Sequence, residues 1–87
     1  MVIGRNDADL VLDDAQVSRH HARLRWVRGD LQLDDLRSTN GTRVNGVQID
    51  GSRTLQDGDL ITVGPFAIEV HIATSGESDP GATVVGG

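Results

Sequence analysis

Turn-forming pairs punctuate this chain at short intervals, and that spacing limits what it can fold into. Gly29-Asp30, Asn45-Gly46, Asp50-Gly51, Asp57-Gly58 and Gly64-Pro65 separate apolar runs of only a few residues. No window sustains an i, i+3, i+4, i+7 pattern over ~11 residues, so helix is disfavoured. Asn-Gly is the strongest of these signals, because both central residues of a type I′ hairpin turn need positive φ. The runs between the turns alternate. Ala22, Leu24 and Trp26 are predicted to share a buried face, with Arg23, Arg25 and Val27 opposite. Leu31 and Leu33 return after Gly29-Asp30 as the second arm of a hairpin. Residues 42–44 and 47–49 flank Asn45-Gly46, and Phe66, Ile68, Val70 and Ile72 form one clean apolar face. Short strands with turns roughly every 8 to 12 residues argue for an all-β sandwich or barrel.

The chain has 87 residues, enough for one domain. Its globular part is expected to span residues 1–72. From Ala73 onward Gly, Ser and Thr dominate, and such a segment buries too little to offset its ordering entropy, so 73–87 reads as a flexible tail. No apolar stretch approaches the ~18–20 residues that cross a bilayer. The start lacks the apolar centre of a secretory signal, so a cytoplasmic chain or a piece of a larger protein is expected, with no membrane partner. Net charge is −5, which disfavours nucleic acid, because phosphate-backbone binding needs a basic face. All 8 basic residues are arginine, whose planar fork suits phosphate oxygens. Codon usage in a GC-rich genome also explains that composition.

Metal, cofactor and thiol chemistry find little support. There is no cysteine. His20, His21 and His71 lack zinc-ligand spacing, and neighbours such as His20 and His21 point to opposite sides of an extended segment. Asp7, Asp9, Asp13 and Asp14 lack calcium-loop spacing and a partner base, so solvated loop carboxylates are the simpler account and no catalytic residue is assigned.

Three short segments combine groups that suit a compact anion. Gly4-Arg5 follows the strand-like Val2-Ile3. Ser18-Arg19-His20-His21 precedes the arginine-rich strand. Ser38-Thr39-Asn40-Gly41-Thr42 gathers hydroxyls, an amide and a glycine in a loop between strands. Each alone also reads as ordinary surface or turn chemistry. In this order and spacing they resemble the forkhead-associated (FHA) domain, whose pattern is Gly-Arg, Ser-Arg-x-His and Ser-x-Asn-Gly with a following Thr. Val44-Asn45-Gly46 and Asp57-Gly58-Asp59 are similar to the family as well. The resemblance covers nearly all of residues 1–72.

The resemblance implies an antiparallel β-sandwich with binding loops at one end and a phosphothreonine peptide as ligand. It implies that Arg5 and Ser18 contact the phosphate, that Thr39 adds a hydroxyl, and that Arg19 sits beside peptide or phosphate. Asn40 would hydrogen-bond the peptide backbone. His21, Gly4, Ser38 and Gly41 would support the loops, and His20 has no assigned role. Two departures stand out. Arg37 occupies a position where the family commonly has glycine, so it adds phosphate affinity, favours acidic residues downstream in the peptide, or only faces water. The family's usual first strand, which lies near its last one, is missing here. A longer natural chain, a homodimer through the missing-strand edge, or return of the segment Ala82-Thr83-Val84-Val85 after the Asp79-Pro80-Gly81 turn would each fill that place. The leading expectation is a phosphothreonine-dependent adaptor in serine/threonine kinase signalling. A phosphate-independent structural or oligomerisation module of the same fold is the alternative, and an enzyme is not expected.

Overall fold

Leu24 and Leu33 meet as cross-strand partners in the longest hairpin of the protein. A computed structural model describes residues 1–72, and the expected tail at 73–87 lies outside the described residues. Strand β3 (Ala22–Val27) pairs antiparallel with β4 (Asp30–Asp35) from Ala22↔Asp35 to Val27↔Asp30. The turn between them is Arg28-Gly29, with φ of 54° and 85°, so both central residues take the positive-φ values of a type I′ turn. Sequence placed this turn one residue late, at Gly29-Asp30.

Two further strands precede the hairpin. β1 (Val2–Gly4) pairs antiparallel with β3 and parallel with the short β2 (Leu10–Val11). After β4 the chain forms β5 (Thr42–Val44) and β6 (Val47–Gln48), joined through Asn45-Gly46 at φ of 53° and 83°, the hairpin expected from the Asn-Gly pair. β7 (Ser52–Thr54) then crosses back to pair with β4, and β8 (Leu60–Val63) and β9 (Phe66–Glu69) form the last hairpin. The result is a five-stranded sheet in the order β2-β1-β3-β4-β7 and a four-stranded sheet in the order β6-β5-β8-β9. The all-β sandwich holds, and its pairs are antiparallel except for β1 with β2.

Ile3, Ala22, Leu33, Val44, Ile61 and Val63 are fully buried and bring inward-facing positions of both sheets into one core. Full burial of such a Val, Leu or Ile side chain is worth roughly 1.5–3 kcal/mol. Trp26 departs from the expected pattern. It has the parity of Ala22 and Leu24, yet it is 62% exposed, near the end of β3 beside the Arg28-Gly29 turn.

The Asn45 and Asp59 segments, far apart in sequence, lock together. Asn45 donates its amide to Asp59 Oδ1 at 2.9 Å and accepts from the Leu60 N–H at 3.0 Å. Gln56 N–H donates to Asp59 Oδ2, and this bond and that of Asn45 hold the Asp59 carboxyl below its ordinary range.

On the outer face of the larger sheet Asp34 gathers two arginines. Arg25 donates to both carboxylate oxygens, at 2.6 and 3.1 Å, and Arg23 and Ser52 add further bonds. The Arg25 bonds hold the Asp34 carboxyl well below the usual carboxylate range, outweighing burial, with Ser52 and Arg23 assisting. A depressed carboxyl stabilises the fold above its unfolded value near pH 4 and withdraws that stability as pH falls. The thermal midpoint is expected to fall below about pH 4, and Asp34→Asn is expected to lower it at neutral pH while flattening the acid fall. Thermal unfolding across pH checks this, and equal acid slopes in the two proteins would contradict it.

Candidate functional site

Antiparallel pairing of β1 with β3 and of β3 with β4 brings the end of β1, the start of β3 and the end of β4 to one end of the sandwich. Arg5 follows β1, Ser18 and Arg19 lie just before β3, and Thr39 and Asn40 lie between β4 and β5. All five line one open cleft of about 240 Å³, together with Gln16 and Val17. Main-chain bonds set the spacing. Arg5 N–H donates to the carbonyls of Ser18 and Arg19 at 3.0 and 3.1 Å. This close approach accounts for Gly4, since a Cβ there would lie 1.8 Å from the Arg19 carbonyl oxygen.

The hydroxyl of Ser18 ties two loops together. Its Oγ accepts the Thr39 N–H at 3.0 Å, which leaves its own proton free to donate elsewhere. Asn40 donates one amide hydrogen to the Gln16 carbonyl at 2.9 Å, which fixes the side chain and leaves Oδ1 as an acceptor. Arg5 and Arg19 are exposed, and neither is paired with a carboxylate among the described residues. A cleft with two free guanidiniums, hydroxyls and an amide can take a compact anion with several oxygens.

His21 braces this arrangement from below. It is fully buried. Its Nδ1 accepts the Ser18 N–H at 3.0 Å, and its Nε2 donates to the Gly41 carbonyl at 2.8 Å, so the two partners fix the tautomer. Gly41 has φ of 83°, and a Cβ would also meet the Gln48 amide at 2.8 Å. Ser38 does not line the cleft. It bonds Asp35 through both its N–H and its hydroxyl, and Thr42 Oγ1 donates to Asp35 Oδ1 at 2.8 Å. Asp35 therefore clamps both ends of the Thr39-Asn40 loop, a role that sequence reading missed. His20 also gains a contact: its Nε2 donates to the Asp7 carbonyl at 3.1 Å and ties the loop after Arg5 to the loop before β3. Asp9 and Asp14 likewise serve the backbone, accepting from the Val2 and Gln16 N–H groups.

Arg37 lies outside the cleft lining, exposed, at φ of 58°. Leu36 N–H bonds the His21 carbonyl and Ser38 bonds Asp35, so the residue between them is held in the left-handed region from both sides. A branched-free but Cβ-bearing residue there costs roughly 1–2 kcal/mol, part of which glycine loses again in its unfolded freedom. Arg37→Gly is expected to stabilise the fold by about 0.5–1 kcal/mol in urea unfolding.

The fold and its loop cleft define a sandwich-type binding module. The family model for the FHA domain matches residues 1–64, and the chain belongs to that family. It is 48% identical over 63 residues to an ABC transporter ATP-binding/permease protein of Mycobacterium tuberculosis, covering 71% of this chain and 7% of that protein. It is 44% identical over 62 residues to the glycogen accumulation regulator GarA of Mycolicibacterium smegmatis, covering 71% of this chain and 39% of GarA. The chain thus spans well under two thirds of these relatives. An FHA domain solved in a study of phosphothreonine-dependent FHA domain interactions superposes with a TM-score of 0.78 at 42% identity, over 84% of this chain and 76% of that one. Mycobacterium tuberculosis EmbR in complex with a low-affinity phosphopeptide gives a TM-score of 0.80 at 41% identity, over 83% of this chain and 19% of EmbR.

Proposed function

We propose that the cleft binds phosphothreonine-containing segments of other proteins and that the domain works as an adaptor in serine/threonine kinase signalling. The observation that carries this reading is the convergence of Arg5, Ser18, Arg19, Thr39 and Asn40 on one cleft with both arginines free. The similar structure of EmbR in complex with a phosphopeptide supports it.

A phosphate brings a charge of roughly −1.5 to −2 and three strong acceptor oxygens. Arg5 and the free proton of Ser18 meet these oxygens, the Thr39 hydroxyl adds a donor, and Arg19 sits beside them. Asn40, anchored on the Gln16 carbonyl, uses Oδ1 to accept a peptide N–H. Gly4, His21, Ser38 and Gly41 shape the loops without touching the ligand. Arg37, exposed on the same loop as Thr39, offers its guanidinium to acidic residues further along the peptide. An unphosphorylated threonine leaves the charged donors without acceptors, which makes the interaction a switch. Discrimination against phosphoserine rests on one methyl, worth about 1 kcal/mol.

Calorimetric titration with matched threonine and phosphothreonine peptides tests the reading. Charged hydrogen bonds contribute roughly 1.5–3 kcal/mol each, so the phosphorylated peptide is expected to bind at least about 100-fold more tightly. Equal binding of the two peptides would instead favour the phosphate-independent module.

A further inference from the structure

Asn40 and Asn45 are both followed by glycine, and that pair is chemically unstable in water. The main-chain nitrogen after an asparagine can attack the side-chain amide carbon. Glycine has no Cβ and leaves the approach open. The fold holds the two pairs differently. Asn45 is fixed at three points. Its N–H donates to the Leu60 carbonyl at 2.8 Å, its amide donates to Asp59 Oδ1, and its Oδ1 accepts the Leu60 N–H. It also occupies a type I′ turn, so rotating its peptide unit would unseat the hairpin of β5 and β6.

Asn40 is exposed and is fixed at one point, the bond of its amide to the Gln16 carbonyl. The anchors of its loop lie on either side of it. The Thr39 N–H is held by Ser18 Oγ, and the Gly41 carbonyl by His21 Nε2. Between them lie the Asn40 carbonyl and the Gly41 N–H, the two polar groups of one peptide unit. Neither has a hydrogen-bond partner among the described residues. Gly41 is buried, and a buried N–H without an acceptor is uncommon. The nitrogen that would attack is thus not held by any bond, and the amide that it would attack is held by one.

We propose that Asn40 is a site of spontaneous deamidation and that its conversion switches the cleft off. The Gly41 nitrogen bonds to Asn40 Cγ, the Cγ–Nδ2 bond breaks, and the Gly41 proton leaves with Nδ2 as ammonia. Water then opens the resulting cyclic imide. Opening at Cγ gives aspartate, and opening at the main-chain carbonyl carbon gives isoaspartate, whose main chain runs through the side chain. The sum is one water consumed and one ammonia released, with no change of oxidation state. The effect on binding rests on the phosphothreonine reading of the cleft. The oxygen that replaces Nδ2 cannot donate, so it faces the Gln16 carbonyl as a second acceptor. The new charge lies in the cleft with Arg5 and Arg19 and competes with the phosphate for them. Isoaspartate also lengthens the main chain between the Thr39 and Gly41 anchors. A bound peptide N–H on Oδ1 gives the Asn40 amide a second bond, so ligand is expected to slow the conversion.

Ageing the full chain at mildly alkaline pH and mapping its proteolytic fragments by mass spectrometry tests the proposal. In the folded chain Asn40 is expected to convert ahead of Asn45. In the chain unfolded by urea the two are expected to convert alike, because the dipeptide is the same. The aged chain is expected to bind a phosphothreonine peptide at least about tenfold more weakly than the fresh one, and Asn40→Asp to reproduce the loss. A folded chain in which Asn40 stays intact, or in which Asn45 converts first, overturns the proposal. So does a chain converted at Asn40 that binds the phosphopeptide as tightly as before. Conversion is read by mass and needs no ligand, so its failure is distinct from failure of the cleft reading, which a fresh chain that ignores the phosphopeptide would show.

Discussion

Replacing Arg5 with alanine is expected to weaken binding of a phosphothreonine peptide by about 2–5 kcal/mol, roughly 30- to 5,000-fold, while the thermal midpoint stays close to that of the unsubstituted chain. The two halves of this expectation have separate causes. The backbone of Arg5 belongs to the architecture, since its N–H bonds the carbonyls of Ser18 and Arg19. Alanine keeps that N–H. The side chain belongs to the cleft and has no carboxylate partner among the described residues, so its removal disturbs little in the free protein. Arg5→Lys separates charge from geometry. Lysine keeps a positive charge and loses the planar fork, so an intermediate loss is expected. The unphosphorylated peptide serves as the baseline in both variants. If Arg5→Ala binds the phosphopeptide as tightly as the unsubstituted chain does, Arg5 is not a phosphate ligand, and the convergence at this cleft has another purpose.

Sequence made the site legible because its chemistry is local. Gly4-Arg5, Ser18-Arg19 and Thr39-Asn40 each stand out as short polar segments at strand ends, and β pairing needs only to place those ends together. The Asn45-Gly46 hairpin was legible for a similar reason, since its backbone angles depend on two adjacent residues. What escaped depends on neighbours distant in the chain. β2 and β7 have two and three residues and no alternation of their own, and exist because β1 and β4 offer edges to them. Trp26 follows the alternation of β3, but near the end of the strand it stands exposed. Gly4 is expected to shape the loops, but the reason, the Arg19 carbonyl oxygen where a Cβ would lie, comes from a segment distant in the chain. Asp35 reads as one carboxylate among many, and only the fold shows it accepting from Ser38 and Thr42 together. The Arg28-Gly29 turn was misplaced because arginine gives no local signal for positive φ.

His21 braces the site from beneath the cleft, and His21→Ala is expected to cost about 3–5 kcal/mol of stability in urea unfolding. The imidazole is fully buried, so its loss leaves a cavity. It also leaves the Ser18 N–H and the Gly41 carbonyl without partners, each at roughly 1–3 kcal/mol. A total stability of roughly 5–15 kcal/mol is typical of single domains, so the loss is a large fraction of it. Two further variants divide the causes. His21→Phe fills the space and makes neither bond, so it is expected to recover only the cavity part. His21→Gln places an amide that can both donate and accept, and is expected to lose least. The functional consequence follows from connectivity. Ser18 N–H and the Gly41 carbonyl belong to different loops, and the same two loops meet again where Thr39 N–H donates to Ser18 Oγ. With His21 removed, that bond and the bond of the Asn40 amide to the Gln16 carbonyl are left to hold the two loops together. Phosphopeptide affinity is therefore expected to fall along with stability even under conditions where the variant is folded. Unchanged unfolding in His21→Ala would mean that water replaces both bonds at no cost, and the loops would then owe their positions to the strands alone.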